Sequence, residues 1–130
     1  MNVTELRIPF LFTGVLSSAR VIREKPEAVS RFLRAYIEAM AVIRRDKETT
    51  IKSMAKYLKT TDADVLESVY DDYKNVFPVA PLMTSAEVKA VLDASKSPRA
   101  KQTKPEDFYD NFLVQKIQSS GFIDSVNGKR

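Results

Sequence analysis

Apolar side chains recur every three or four residues through Val29, Phe32, Leu33, Tyr36, Ile37, Met40 and Ile43. That spacing is the period of an α-helix, and a stripe of this kind faces a core. Pro26 suits the first helical turn, and Glu27 favours the positive end of the helix dipole. A chain of 130 residues organised around such a stripe reads as one unit, or as a piece of something larger.

The same reasoning extends along the chain. A second helix is expected from about Lys47 to Leu58, with Ile51, Met54, Ala55 and Leu58 on one face and Asp46 as its N-cap. Thr61 starts a third, with Asp62 and Asp64 in the first turn. Its apolar face holds Val65, Leu66, Val69, Tyr70, Tyr73 and Phe77, before Pro78 and Pro81 force an extended link. Thr84-Ser85-Ala86-Glu87 is a capping box opening a short helix with Val88, Val91 and Leu92. Residues 95–104 form a polar, basic linker. Pro105 opens the last helix, with Phe108, Phe112, Leu113 and Ile117 inward, and Gly121 is the left-handed residue that ends it. Phe122 or Ile123 supplies the closing apolar contact, and the tail 127–130 frays.

Residues 6–22 are the exception. Phe10, Phe12, Val15, Leu16, Val21 and Ile22 are apolar or β-prone, and Thr13-Gly14 interrupts them. One or two short strands are expected, with Gly14 as a turn or a place of close backbone approach. The fold class is therefore mainly α: about five helices after a short N-terminal strand or hairpin. A strand so apolar with no sheet to join is a pairing site, which points to self-association or to a missing partner segment.

Composition removes many functions. There is no Cys and no His, which excludes disulfides, thiolate zinc sites, cysteine nucleophiles and the Ser-His-Asp triad. Only three Gly are present, too few for a Gly-rich phosphate cradle. No nucleophile stands with a partner base, so no enzyme, cofactor or metal site is expected. Charge runs in blocks: residues 20–59 hold eleven basic and five acidic side chains, and residues 60–95 hold two and seven. The basic block falls at polar positions of the helices, as at Arg31, Arg34, Arg44 and Arg45, so it reads as a solvated face. Basic clusters with exposed aromatics are not visible, and nucleic acid is not an expected partner. Glu5 and the lack of a cleavage site argue against a signal peptide. No stretch of about 20 apolar residues exists to cross a membrane.

The order of segments carries a resemblance. "SSARVIREKPEAVSRFLRAYIEAM" is followed by "MAKYLKTTDADVLESVYDDYKNVF", "MTSAEVKAVLDA" and "KPEDFYDNFLVQKIQSSGFID". Together they resemble the C-terminal part of ABC-transporter substrate-binding proteins of the nitrate, sulfonate, taurine and thiamine-pyrimidine type. The resemblance runs from about Leu6 to Val126. It implies a fragment of an α/β periplasmic-binding-protein type II fold, in which two lobes close on a solute at a hinge. Residues 1–130 would form one C-terminal portion: a strand region 6–22, helices over 26–95 and a C-terminal helix over 105–126. The implied partners are a small polar or anionic solute and an ABC permease, and the implied location is the periplasm or cell envelope.

Thr13 and Gly14 are the candidate ligand-binding residues, through a hydroxyl and a backbone N–H at the cleft mouth; Arg7 with Thr13 is the candidate anion pair. A plain strand kink at Gly14 is the structural alternative. Asp62/Asp64 and Asp71-Asp72 fit capping and solvation better than a metal loop. Tyr70 and Tyr73 fit a core, and Lys96, Arg99, Lys101 and Lys104 a solubilising linker. Beside the receptor component stand a self-associating helical module pairing through residues 8–16 and, with little weight in a chain without His, a pyrimidine-synthase-like enzyme.

Overall fold

The computed structural model of the protein describes residue 11 and residues 13–128. Seven α-helices are present among them: α1 (Ala19–Glu24), α2 (Pro26–Arg45), α3 (Lys47–Leu58), α4 (Ala63–Tyr73), α5 (Ser85–Ala94), α6 (Phe112–Ser119) and α7 (Phe122–Val126). Short 3-10 turns at Ala100–Gln102 and Pro105–Phe108 link α5 to α6.

The α2 stripe organises the fold. Leu33, Ile37 and Met40 of α2 pack with Val114 and Ile117 of α6 and Ile123 of α7, and Ile37, Met40 and Ile117 are sealed from water. α2 also packs on α1 and α3, α3 packs on α4, and α5 packs on the two 3-10 turns. Phe32, read as part of the stripe, is instead 57% exposed; it lies at the edge of the apolar arc that α2 buries.

Chain ends and caps follow the sequence closely. The Asp46 side chain accepts from the Thr49 N–H at 2.9 Å and caps α3. Asp62, expected inside the first turn, instead accepts from the Asp64 and Val65 N–H groups as the N-cap of α4, which begins at Ala63. Thr84 and Glu87 form the expected capping box. Gly121 has φ 75°, a left-handed conformation glycine adopts without a Cβ penalty. It turns the chain between α6 and α7, so that Ile123 returns to the core and Phe122 packs beside it.

Three expectations are corrected. Among the described residues there is no strand: residue 11 and residues 13–18 are irregular and 19–24 are helical. Residues 6–10 and Phe12 lie outside the described residues. Val21 and Ile22 sit on α1 because Ser18 accepts from the Val21 N–H at 3.2 Å and Arg20 pairs with Glu24 one turn on; β-propensity yields to a cap and an i,i+4 pair. The last helix is broken: Tyr109 is extended (φ −135°, ψ 153°) and Asp110 Oδ1 accepts from the Phe112 N–H at 2.8 Å, restarting the helix. Phe108 and Phe112 are 60% and 67% exposed, while Ile117 stays buried; five residues apart on α6, Phe112 and Ile117 point about 140° away from each other. The chain near Asn127 is also held rather than frayed, by hydrogen bonds to Ile123 and Arg44.

Candidate functional site

Thr13 and Gly14 both fall on one cleft, of about 290 Å³. One wall is the irregular segment 13–17. A second is part of the α2 stripe, half-buried Val29 and Tyr36 with buried Leu33 between them. The floor comes from Leu82 and Met83 ahead of α5, and from Leu113 and Val114 of α6.

The walls are held by a few polar side chains. Asn111 forms a two-bond clamp on Met83: its Oδ1 accepts from the Met83 N–H at 3.0 Å, and its Nδ2 donates to the Met83 carbonyl at 2.8 Å. Ser85 Oγ donates to Glu106 Oε1 at 2.6 Å. A serine has one proton, so the Tyr109 hydroxyl, 2.9 Å away, donates to Ser85. The Ser85 bond holds the Glu106 carboxyl below its usual range. Glu87 Oε2 accepts from the Thr84 N–H and hydroxyl at 2.8 and 2.7 Å.

Thr13 and Gly14 are exposed at this margin. A Cβ on Gly14 would stand 2.8 Å from Met83 Cε, a side-chain neighbour where a close backbone approach was expected. The approaching group is a flexible thioether end, not backbone. Arg7 lies outside the described residues. The described lining includes the carboxylates Glu87 and Asp110 and neither Lys nor Arg. A solute anion here would therefore meet the Thr13 hydroxyl without a described cation, and its charge would have to be met from elsewhere.

The other sequence candidates are dispersed. Asp62 caps α4, and Asp71 pairs with Lys74 at 2.6 Å, which holds the Asp71 carboxyl low. Tyr70 is buried between the Lys47 and Lys74 ammonium groups, 5.6 and 5.5 Å from its ring, whereas Tyr73 is 45% exposed. Lys96, Arg99, Lys101 and Lys104 are exposed. No group of three or more metal-ligating carboxylates occurs among the described residues, and no described helix is long and apolar enough to cross a membrane.

Sequence reasoning missed Asn111, and it read Arg44 as part of a solvated face, whereas Arg44 is half-buried and bonded to Phe77, Pro78 and Asn127. Asp110-Asn111 before the apolar run of α6 was a helix-start signal, and Arg44 lies four residues after Met40 on the buried face of α2.

Compared with protein families, curated proteins and solved structures, the chain matches none.

Proposed function

We propose that this chain is the C-terminal portion of the solute-binding component of an ABC importer. Its solute is a small polar or anionic molecule of the nitrate, sulfonate, taurine or pyrimidine class, and it works beside an ABC permease at the cell envelope. It carries and delivers; it does not catalyse.

The observation that carries this reading is the cleft bearing Thr13 and Gly14, which is open among the described residues. Helices of an α/β lobe turn one apolar face to a sheet and the other to water. Here half-buried Val29, Tyr36, Leu82 and Leu113 border an open cleft. In the proposed lobe a sheet covers that face, the segment containing Thr13 leads into it, and the solute sits where the hydroxyl and the Gly14 N–H reach. Mainly apolar clefts with a few placed polar groups are the ordinary form of small-molecule sites.

Titration calorimetry tests it with nitrate, taurine, an alkanesulfonate and an aminopyrimidine. Two samples are compared: this chain, and this chain joined to the lobe encoded before it. Heat of binding for one solute with the longer protein, and none with the chain alone, is the expected pattern. No binding by either sample overturns the reading.

A further inference from the structure

The cleft that holds Thr13 and Gly14 carries charge of one sign among the described residues. Glu87 in the first turn of α5 and Asp110 ahead of α6 are on its lining, and neither Lys nor Arg is. Each acid is fixed through one oxygen. Glu87 Oε2 accepts from the Thr84 N–H and hydroxyl, and Asp110 Oδ1 accepts from the Phe112 N–H. The second oxygen of each accepts nothing from a described residue. Neither acid has an ion pair among the described residues. Glu106 and Asp107 stand on the 3-10 turn directly before Phe108 of the lining and add charge of the same sign. On the α1 side, Arg23 and Lys25 follow Ile22 of the lining but lie off it, and Arg20 is paired with Glu24.

The rest of the lining suits a flat ring. Tyr36, Phe108 and Tyr109 present aromatic side chains. The Tyr36 hydroxyl has no hydrogen-bond partner among the described residues. Aromatic faces attract cations. Apolar walls focus the field of the charges set between them, so a cleft lined by one sign concentrates solutes of the other.

We propose that the solute of this cleft is a small organic cation, a flat apolar body whose charge sits on N–H groups. Those N–H groups meet the open oxygens of Glu87 and Asp110, and the flat body lies against the aromatic rings. A solute of this kind narrows the receptor reading, on which the assignment rests, and sets nitrate and alkanesulfonates aside.

Three probes of one shape test the sign of the charge. Benzamidine is positive at neutral pH, benzamide is neutral and benzoate is negative. Backbone amide NMR spectra of the whole chain are followed as each probe is added at millimolar concentrations, where binding too weak for calorimetry still shifts signals. Benzamidine is expected to move the amides of Gly14, Met83 and Asn111 and to saturate before benzamide, while benzoate leaves them in place. Salt weakens the benzamidine response and not the benzamide response. Asp110→Asn and Glu87→Gln keep an acceptor for the capping N–H groups. Each weakens benzamidine about threefold and leaves benzamide unchanged. A benzoate response at these amides equal to that of benzamidine overturns the proposal. So does a benzamidine response confined to other sites, such as the acids of α4, a response indifferent to both substitutions, or no response at the cleft to any probe. The receptor reading, tested by calorimetry on the longer protein, stands or falls separately.

Discussion

The Arg44 guanidinium donates from Nη2 to Asn127 Oδ1 at 2.7 Å, and from Nη1 to the carbonyls of Phe77 and Pro78 at 3.2 and 3.0 Å. One side chain on α2 therefore ties down both the link after α4 and the end of α7. Burial pushes Arg44 down from the ordinary arginine value, and the planar fork keeps its charge hydrogen-bonded on three sides. Arg44→Met should cost about 2 kcal/mol of stability, and Arg44→Lys about 1 kcal/mol, since an ammonium keeps the charge but not the fork. Thermal denaturation checks both. A Lys variant as unstable as the Met variant would mean that charge contributes nothing there.

Acid should weaken the protein through its paired carboxylates. The Thr49 N–H and hydroxyl hold the Asp46 carboxyl below its usual range; Lys74 does the same to Asp71, and Ser85 to Glu106. A carboxyl lowered in the folded state contributes stability that is present above its unfolded pKa. That contribution is lost as the pH falls through the ordinary carboxylate range toward the lower folded value. Asp46→Asn keeps the cap without the charge, so its urea midpoint should fall less steeply from neutral to acid pH than that of the parent. Equal slopes would remove Asp46 from the account.

The Asn111 clamp sets the cleft floor. Asn111→Asp retains the acceptor for the Met83 N–H but turns a second oxygen toward the Met83 carbonyl. Asn111→Ala leaves both Met83 backbone groups unpaired. Each should cost about 1–3 kcal/mol. Urea denaturation measures it, and a change within about 0.5 kcal/mol would mean that water replaces the clamp at no cost.

How much of this was legible in the sequence varied with the physics of each segment. The stripe Leu33, Ile37 and Met40 was legible because period alone decides a long amphipathic helix. Asp46, Thr84 and Gly121 were legible because caps and helix ends are local chemistry. Residues 19–24 misled because Val21 and Ile22 favour strands while Ser18 supplies a helix cap, and local bonds prevailed. Phe108 and Phe112 misled because they were read by apolar identity and not by phase: Phe112 falls about 140° from Ile117 around α6, and Phe108 would fall opposite Ile117 in a continuous helix; the break at Tyr109 is stabilised by Asp110 and by long-range bonds from Asn111 and Ser85. Such bonds span 21 to 28 residues, and no periodicity reports them. For the same reason Thr13 and Gly14 were named without their neighbours: which side chains would meet them depended on α2, α5 and α6 converging.

Gly14 owes its identity to room rather than to backbone conformation. It is not in the left-handed region, and the atom nearest to an added Cβ is the mobile end of Met83. Gly14→Ala should therefore cost less than about 1 kcal/mol, with Met83 swinging aside. A loss several times larger in thermal denaturation would show that Met83 is fixed and that the cleft margin is rigid.

The reading of the coding DNA immediately upstream of the Met1 codon tests the central claim most directly. The receptor reading predicts an open frame running on into a first α/β lobe, whose sheet covers Val29, Tyr36 and Leu113. An in-frame stop codon and a ribosome-binding site just ahead of Met1 would contradict it, and leave a helical protein whose apolar surfaces serve association with itself.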